Sequence, residues 1–129
     1  MIHNLGSKTY VGSILPADSR NADANGTGFD LQGSNDAEGE AIVILDSEAG
    51  SGTSPTLDVK LQESSDNSTF TDISGKAFTQ VTDSAASLQK LTINTNDTER
   101  YIRAVVDVGG TSPVFVCAAS IVYSKKYGN

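Results

Sequence analysis

The sequence has a single cysteine, Cys117, so no disulfide can form within the chain. It also lacks the run of about 20 apolar residues that a membrane-spanning helix needs. Its first residues, MIHNLGSKTYVG, lack the apolar stretch of about seven or more residues that a signal peptide contains. We therefore expect a protein that has no membrane partner and is made and kept in a reducing cytosol.

Histidine and tryptophan are also scarce: His3 is the only histidine, and there is no tryptophan. Nucleophilic catalysis needs a base beside the nucleophile. His3 stands near the start of the sequence, whereas Cys117 lies among Val, Phe and Ala residues, which is typical of a small core residue. The 16 acidic residues can meet in many ways but fall mostly in turns or on solvated strand faces, so the pair across a cleft that glycosidases use cannot be inferred. We expect no enzymatic activity.

One segment, NADANGTGFDLQ at residues 21–32, partly matches a calcium-binding loop. Asn21, Asp23, Asn25 and Gly26 occupy the first, third, fifth and sixth positions of that pattern. The twelfth position holds Gln32 where the loop requires Glu, and no helices flank the segment. Because the sequence also lacks zinc-type Cys and His spacing, we expect an Asx-rich turn, no metal and no cofactor.

The chain is acidic, with a formal net charge of -7 and a sequence pI near 4.4. A negative surface repels the phosphate backbone of nucleic acids. We therefore expect no nucleic-acid partner.

What the sequence has is strand-forming segments in a single domain of 129 residues. In TLDVKLQES, apolar Leu57, Val59 and Leu61 alternate with polar residues, which is typical of a half-buried strand. Segment 41–46, AIVILD, is a continuous apolar run that suggests a strand covered on both faces. Further strands are predicted at 88–95, 100–108 and 114–123, with shorter candidates in KTYVGSIL, GFDLQG, STFTDI and AFTQV. About eight such strands predict an all-β fold, an antiparallel β-sandwich that is jelly-roll-like.

Several polar segments are predicted to connect these strands. GGTSP at residues 109–113 suggests a hairpin, and EAGSGTSP at 48–55 suggests a mobile surface loop. Residues 15–28 suggest a longer polar connection that is partly disordered, and no internal repeat is apparent. Segment 64–68, SSDNS, suggests a tight turn, because Asp66 and Asn67 tolerate left-handed geometry and bind nearby backbone.

The order of GFDLQG, AIVIL, VKLQESSDNSTFTDI, RYIRAVVDVGG and VFVCAASIVYSKK resembles that of small phage head decoration, or capsid cement, proteins. The elements that carry the resemblance are Asp30, Leu31 and Gly33, then residues 61–71, then residues 99–104. The resemblance covers about residues 28–123. Its departures are Glu99 where the family often has Lys, and the first 27 residues, which match nothing in the family.

The resemblance implies a β-sandwich that binds the outer surface of an icosahedral head and stabilises it. Its partner would be the major capsid protein, and the common arrangement is a homotrimer at threefold or quasi-threefold positions. The expected location is the outer capsid surface of the virion. The alternative is a tail or baseplate component or a glycan-binding β-sandwich module, since similar hairpin turns occur in those proteins.

The two chain ends, 1–12 and 124–129, are candidate attachment arms. Basic and aromatic residues occur together there, a composition suited to lying on an acidic or grooved partner. The alternative is an ordinary frayed terminus with a solubilising basic patch. The candidate capsid-binding residues at the ends are Lys8, Tyr10, Tyr123, Lys125, Lys126 and Tyr127.

A second candidate surface consists of Arg100, Tyr101 and Arg103. If Ile102 points inward, Tyr101 and Arg103 share the outer face of their strand, and Tyr with Arg is frequent at binding hot spots. The alternative is that they form cross-strand pairs with Asp107 or a neighbouring Glu.

Overall fold

The computed structural model describes residue 6, residues 9–31 and residues 37–125, although not the side chains of residues 37, 38 and 125. Between residues 9 and 125 the described chain contains strands and no helix, and every strand pairing is antiparallel. The predicted all-β class with about eight strands is confirmed. The strands are β1 (Thr9–Arg20), β2 (Ala24–Asn25), β3 (Phe29–Asp30), β4 (Ala37–Ser47), β5 (Ser51–Ser64), β6 (Thr71–Ala77), β7 (Ser87–Asn94) and β8 (Tyr101–Lys125).

The strands form two sheets that share β8. In sheet A the order is β1, the second half of β8, β4 and β7. In sheet B, β2 and β3 lie on one side of the first half of β8, and β5 and then β6 lie on the other. Strands next to each other in sequence mostly lie in different sheets, which is the order of a jelly roll. The jelly-roll-like prediction therefore agrees with the observed strand order.

The 25-residue strand β8 passes from sheet B into sheet A without reversing direction. It pairs with β5 from Tyr101 to Val114 and with β1 and β4 from Phe115 onward. The hairpin predicted at residues 109–113 is therefore wrong. The Gly-rich segment supplies the bend by which one strand serves both sheets.

This bend is built from a repeated tetrapeptide. GTSP occurs at residues 52–55 in β5 and again at 110–113 in β8, and the two copies pair antiparallel through Thr53 and Thr111. Gly52 and Gly110 both have φ of 108°, and Ser54 and Ser112 have φ of 50° and 49°. A Cβ on Gly110 would lie 2.7 Å from the Ser54 carbonyl oxygen. The predicted loop at 48–55 is wrong from residue 51 onward, because this close approach turns it into a paired strand.

The predicted connection at residues 15–28 also contains strand. β1 continues to Arg20, with register shifts after Ser13 and Leu15, and β2 pairs with β8 at residues 24–25. Polar residues can extend an edge strand because their side chains stay in solvent. In the candidate strand AFTQV, Ala77 is the last residue of β6, and the remainder contains a single bridge between Val81 and Leu57.

One apolar core lies between the sheets. In β5 the alternation is as predicted, with Leu57, Val59 and Leu61 buried. In the second half of β8, Cys117 is a buried core residue, also as predicted. The core members on both sheets are Ile14, Leu15, Leu31, Ala41, Val43, Leu45, Leu57, Val59, Leu61, Phe78, Val81, Ile93, Ile102, Ala104, Val106, Phe115, Cys117, Ala119 and Ile121.

Segment 41–46 is not covered on both faces, contrary to the prediction. Val43 and Leu45 are buried, but Ile42 and Ile44 are only half-buried on the opposite face of β4. The apolar run therefore has an inner and an outer set of side chains.

The turn at residues 64–68 is structural, as predicted. The Asp66 carboxylate accepts hydrogen bonds from the backbone N–H groups of Ser68 and Thr69 and from the Ser64 hydroxyl, at 2.8–2.9 Å. Asn67 has a left-handed φ of 58°. The side chain of Asn67 would meet a Cβ added to Gly28, so the turn packs closely on the segment before β3.

Candidate functional site

Both ends of the described chain lie side by side, because β1 and β8 pair antiparallel at one end of sheet A. Thr9, the first residue of β1, pairs with Ser124, and Tyr10 pairs with Tyr123. The predicted arms at 1–12 and 124–129 therefore begin at neighbouring points on one end of the sandwich.

Parts of these arms belong to the sheet. Residues 9–12 are in β1, and residues 124–125 complete β8. Lys8, Lys126 and Tyr127 lie outside the described residues, as does the side chain of Lys125. Their predicted role in attachment stays a prediction.

An aromatic cluster lies where the two ends meet. The rings of Tyr10 and Tyr123 have centroids 5.7 Å apart, and Phe29 meets Tyr123 edge-on at 5.8 Å. Gly12 makes room for this cluster, since a Cβ there would lie 2.4 Å from the Phe29 ring. Burial raises the pKa of the Tyr123 hydroxyl, and Tyr10 and Asp30 act in the same direction. Tyr123 therefore keeps its proton and remains a hydrogen-bond donor at neutral pH.

Arg100 lies close to this cluster through β3. Its guanidinium donates two hydrogen bonds to the Asp30 carboxylate, both 2.9 Å, and lies 5.1 Å from the centre of the Tyr101 ring. Asp30 follows Phe29, which contacts Tyr123. Phe29 and Asp30 thus join the two candidate surfaces that the sequence treats separately.

Sequence reasoning misses Phe29 and Asp30 as site residues. The available signal is Phe29 itself, one of only four phenylalanines, standing in a polar segment just before an acid. Which strand lies beside that segment cannot be read from the segment alone.

Arg103 lies on the outer face of sheet B, as predicted from an inward Ile102. It donates to the Gln62 side-chain oxygen at 2.9 and 2.8 Å and lies 4.1 Å from the centre of the Phe70 ring. Gln62 in turn donates to Asp72 at 2.9 Å, and Lys60 lies 3.0 Å from the same carboxylate. Arg103 therefore belongs to a cross-strand polar network, the kind of pairing given above as the alternative, although its partner is Gln62 rather than Asp107 or a Glu.

Three carboxylates form a further group on sheet B. Asp58 pairs directly with Asp107 across β5 and β8, and Asp23 accepts a hydrogen bond from the Val108 N–H at 2.8 Å. The nearby charge of Asp23, a hydrogen bond with it and the charge of Asp58 raise the pKa of Asp107. Asp58 accepts a hydrogen bond from Gln80 at 2.9 Å. This group concentrates negative charge on the outer face of sheet B, which the charge of Lys60 offsets only in part.

The segment that partly matches a calcium loop has a different role. Asn25 pairs with Val105 in β2, and the Gly26 N–H donates to the Ala104 carbonyl at 2.7 Å. These residues are held along β8 as an edge strand. Within residues 9–31 and 37–125, no group of three or more His, Cys, Asp or Glu residues is arranged to hold a metal ion.

A search of the described residues for a helix with the length and apolarity to cross a membrane finds none.

No protein-family profile matches the chain, and no curated protein matches it in sequence. Solved structures share its fold. The PBSX exported protein XepA, a phage-derived protein, superposes with a TM-score of 0.65 at 15% identity over 100% of this chain. The chain spans only 41% of the length of XepA.

Two other folds are similar at lower scores. A structure of Bacillus endospore appendages, described as disulfide-linked pili, has a TM-score of 0.52 at 12% identity. The match covers 92% of this chain and 90% of the appendage chain. The CBM22-1 xylan-binding domain of Paenibacillus barcinonensis Xyn10C has a TM-score of 0.52 at 10% identity, covering 92% and 94%. At these identities the similarity establishes the fold. The chain is a β-sandwich module of a kind found in a phage-derived protein, in pili and in a carbohydrate-binding domain.

Proposed function

We propose that this protein is a non-catalytic structural protein of a phage virion that binds the outer surface of the capsid and stabilises it. The observation that carries the proposal is the convergence of both chain ends at the Tyr10–Tyr123 pair. The basic and aromatic residues of the two arms therefore start together, beside a preformed aromatic cluster. Two arms leaving one point can bind one partner site jointly, which raises their effective concentration for each other.

The charge of the chain supports an exterior position. A protein of net charge -7 is repelled by packaged DNA inside a shell. The basic residues at the ends, by contrast, suit an acidic groove on the shell. The fold shared with phage-derived XepA is compatible with this role.

We further propose that the copies are arranged as homotrimers at threefold or quasi-threefold positions and bind the major capsid protein. Cys117 is buried, so it is not placed to form a disulfide between copies while the core stays folded. In this respect it differs from the disulfide-linked pili that share its fold.

The alternative role is a tail or baseplate component or a glycan-binding module. The xylan-binding neighbour has the same fold. On the outer face of sheet B, however, Phe70 and Tyr101 each have an arginine over the ring. That arrangement occupies ring surface that a sugar would otherwise stack against.

The test is co-sedimentation of the purified protein with undecorated shells of the phage that encodes it. We expect saturable binding of the full chain and weaker binding when residues 1–8 or residues 126–129 are deleted, since both deletions leave β1 and β8 intact. A matched control is Lys76→Ala on β6, which should bind like the wild type. Full-strength binding by both truncated chains would show that the arms do not attach. Binding to glycans but to no shell would favour the alternative.

A further inference from the structure

The outer face of sheet A carries exposed hydrophobic side chains. Among the described residues, the large hydrophobic side chains that remain exposed are Val11 at 72%, Leu88 at 73% and Val116 at 43%. All three lie on this one face, because Val11 pairs with outward Val122, Leu88 pairs with outward Asp46, and Val116 lies between buried Phe115 and Cys117. Ile42 and Ile44 of β4 and Val122 of β8 lie half-buried on the same face.

The outer face of sheet B is different in kind. It carries the network of Lys60, Gln62, Asp72 and Arg103, whose polar groups bond to one another. One face of the sandwich is thus suited to solvent. The other presents apolar surface of the type that marks an interaction site when it is contiguous.

The strand register places part of this apolar set in one continuous row. Val11 pairs with Val122, Val122 with Ile42, and Ile42 with Thr92, so these residues form one row across all four strands. The next outward row contains Ile44 in the third strand. Neighbouring strands lie about 4.8 Å apart, so the side chains within a row touch.

Two charged residues flank the row on opposite sides. On one side of the row, the next outward row contains Ile44 paired with Lys90. On the other side, the next outward row contains Glu40 paired with Asn94. Both side chains are exposed, and neither has an ion pair within the described part of the chain. The face therefore carries both signs of charge, arranged about its apolar centre.

We propose that the outer face of sheet A is a self-association surface on which two copies of this chain pair face to face about a twofold axis. The axis runs along the row of Val11, Val122 and Ile42. Rotation about it places the Ile44 and Lys90 row of one copy over the Glu40 and Asn94 row of the other. Lys90 then lies above Asn94 of the second copy, with Glu40 of that copy about one strand spacing away.

The charges favour a second copy over an unrelated protein as the occupant. In a twofold contact the same patch meets itself, so each surface must be complementary to itself. Here the apolar row meets the same row, and the Lys90 to Glu40 contact is made twice, once in each direction. This pairing does not depend on the proposed capsid role.

Analytical ultracentrifugation of the full chain tests the proposal over concentrations from about 1 μM to about 1 mM. We expect the mass to double as concentration rises. Lys90→Glu or Glu40→Lys alone should weaken association about tenfold or more, because each creates two like-charge contacts. An equimolar mixture of these two variants should regain association, since each would then meet its complement. Ile42→Lys in the central row should also weaken it, because the two lysines would meet at the axis, and Asp107→Lys on the outer face of sheet B should not.

Several outcomes would overturn the pairing. A wild-type mass that stays constant over this range contradicts it, and so does association that none of the sheet A variants weakens. Failure of the mixture to regain association contradicts the twofold geometry. If Ile42→Lys abolishes shell binding but leaves self-association intact, the occupant is the shell. Loss of shell binding by the arm deletions, with mass doubling unchanged, would instead bear on the capsid role alone.

Discussion

Asp107 lies in an unfavourable electrostatic environment for an ionised carboxyl. It lies beside Asp23 and opposite Asp58, and these charges raise the pKa of its carboxyl. A carboxyl whose pKa is raised in the folded state opposes folding when ionised, and this opposition is relieved as pH falls through the raised pKa. Like charges on neighbouring groups produce this effect without any cavity or metal.

Asp107→Asn is therefore expected to raise the melting temperature at pH 7. The gain should shrink as pH falls below the raised pKa of Asp107, because the wild-type carboxyl is then neutral as well. Thermal unfolding of the wild type and the variant between about pH 3 and 8 measures this difference in melting temperature. A variant that is no more stable than the wild type at pH 7 would contradict the assignment.

Asp72→Asn is the matched control, with the opposite sign. Hydrogen bonds from Gln62 and Lys60, together with the charge of Lys60, lower the pKa of the Asp72 carboxyl. The ionised Asp72 carboxylate stabilises the folded state at pH values above the ordinary pKa of an aspartate. This stabilisation is lost as the pH falls through the lowered pKa of Asp72. The variant should melt lower than the wild type at pH 7, and the difference should vanish in acid.

Asp66 fixes the turn between β5 and β6 through three accepted hydrogen bonds. These bonds, first of all the one from the Thr69 N–H, lower the pKa of its carboxyl. Asp66→Ala should lower the melting temperature, whereas Asp66→Asn should retain most of it, because the amide oxygen can still accept from the backbone. Equal losses in the two variants would show that charge, rather than the acceptor, is what matters.

At the scale of elements, the pairing of the two GTSP segments determines how β8 serves both sheets. Gly110 has φ of 108° and approaches the Ser54 carbonyl oxygen, whereas the nearest atom to a Cβ on neighbouring Gly109 is the Thr56 side-chain oxygen. Gly110→Ala should therefore lower the free energy of unfolding by ~1–3 kcal/mol, and Gly109→Ala by less. Denaturant unfolding compares them. Equal effects would contradict this view of the corner.

Strand existence was predictable from the sequence where one face is buried. Leu57, Val59 and Leu61 alternate with polar residues, and the period of two identifies both the strand and its inner face. The corner was not predictable in this way. Glycine and proline usually mark turns, and only the partner segment distinguishes a hairpin from a bend within one long strand.

The candidate site was predictable only in part, for the same reason. Alternation places Arg103 on the outer face, but its partner Gln62 depends on the register of β5 against β8. Likewise Arg100 binds Asp30, 70 residues earlier in the chain. Contacts between distant segments depend on the order and register of the strands. A local sequence pattern does not contain that information.

For the whole molecule, the structure separates three surfaces. One end carries the aromatic cluster and the start of both arms, the outer face of sheet B is a bonded polar network, and the outer face of sheet A carries an apolar row flanked by charged residues. The proposed axis runs across the strands, so rotation about it reverses their direction and the arms of two paired copies point in opposite directions. Attachment of both copies to one shell by their arms and twofold pairing through sheet A are therefore separate arrangements, and each has its own test.

The central claim is that this jelly roll adheres to the outside of a phage head. The most direct measurement is electron cryomicroscopy of undecorated shells mixed with an excess of the purified protein. We predict added density on the outer surface at threefold or quasi-threefold positions, with the chain ends toward the shell and a copy number fixed by the symmetry. Shells that remain bare at saturating protein concentration would contradict the claim.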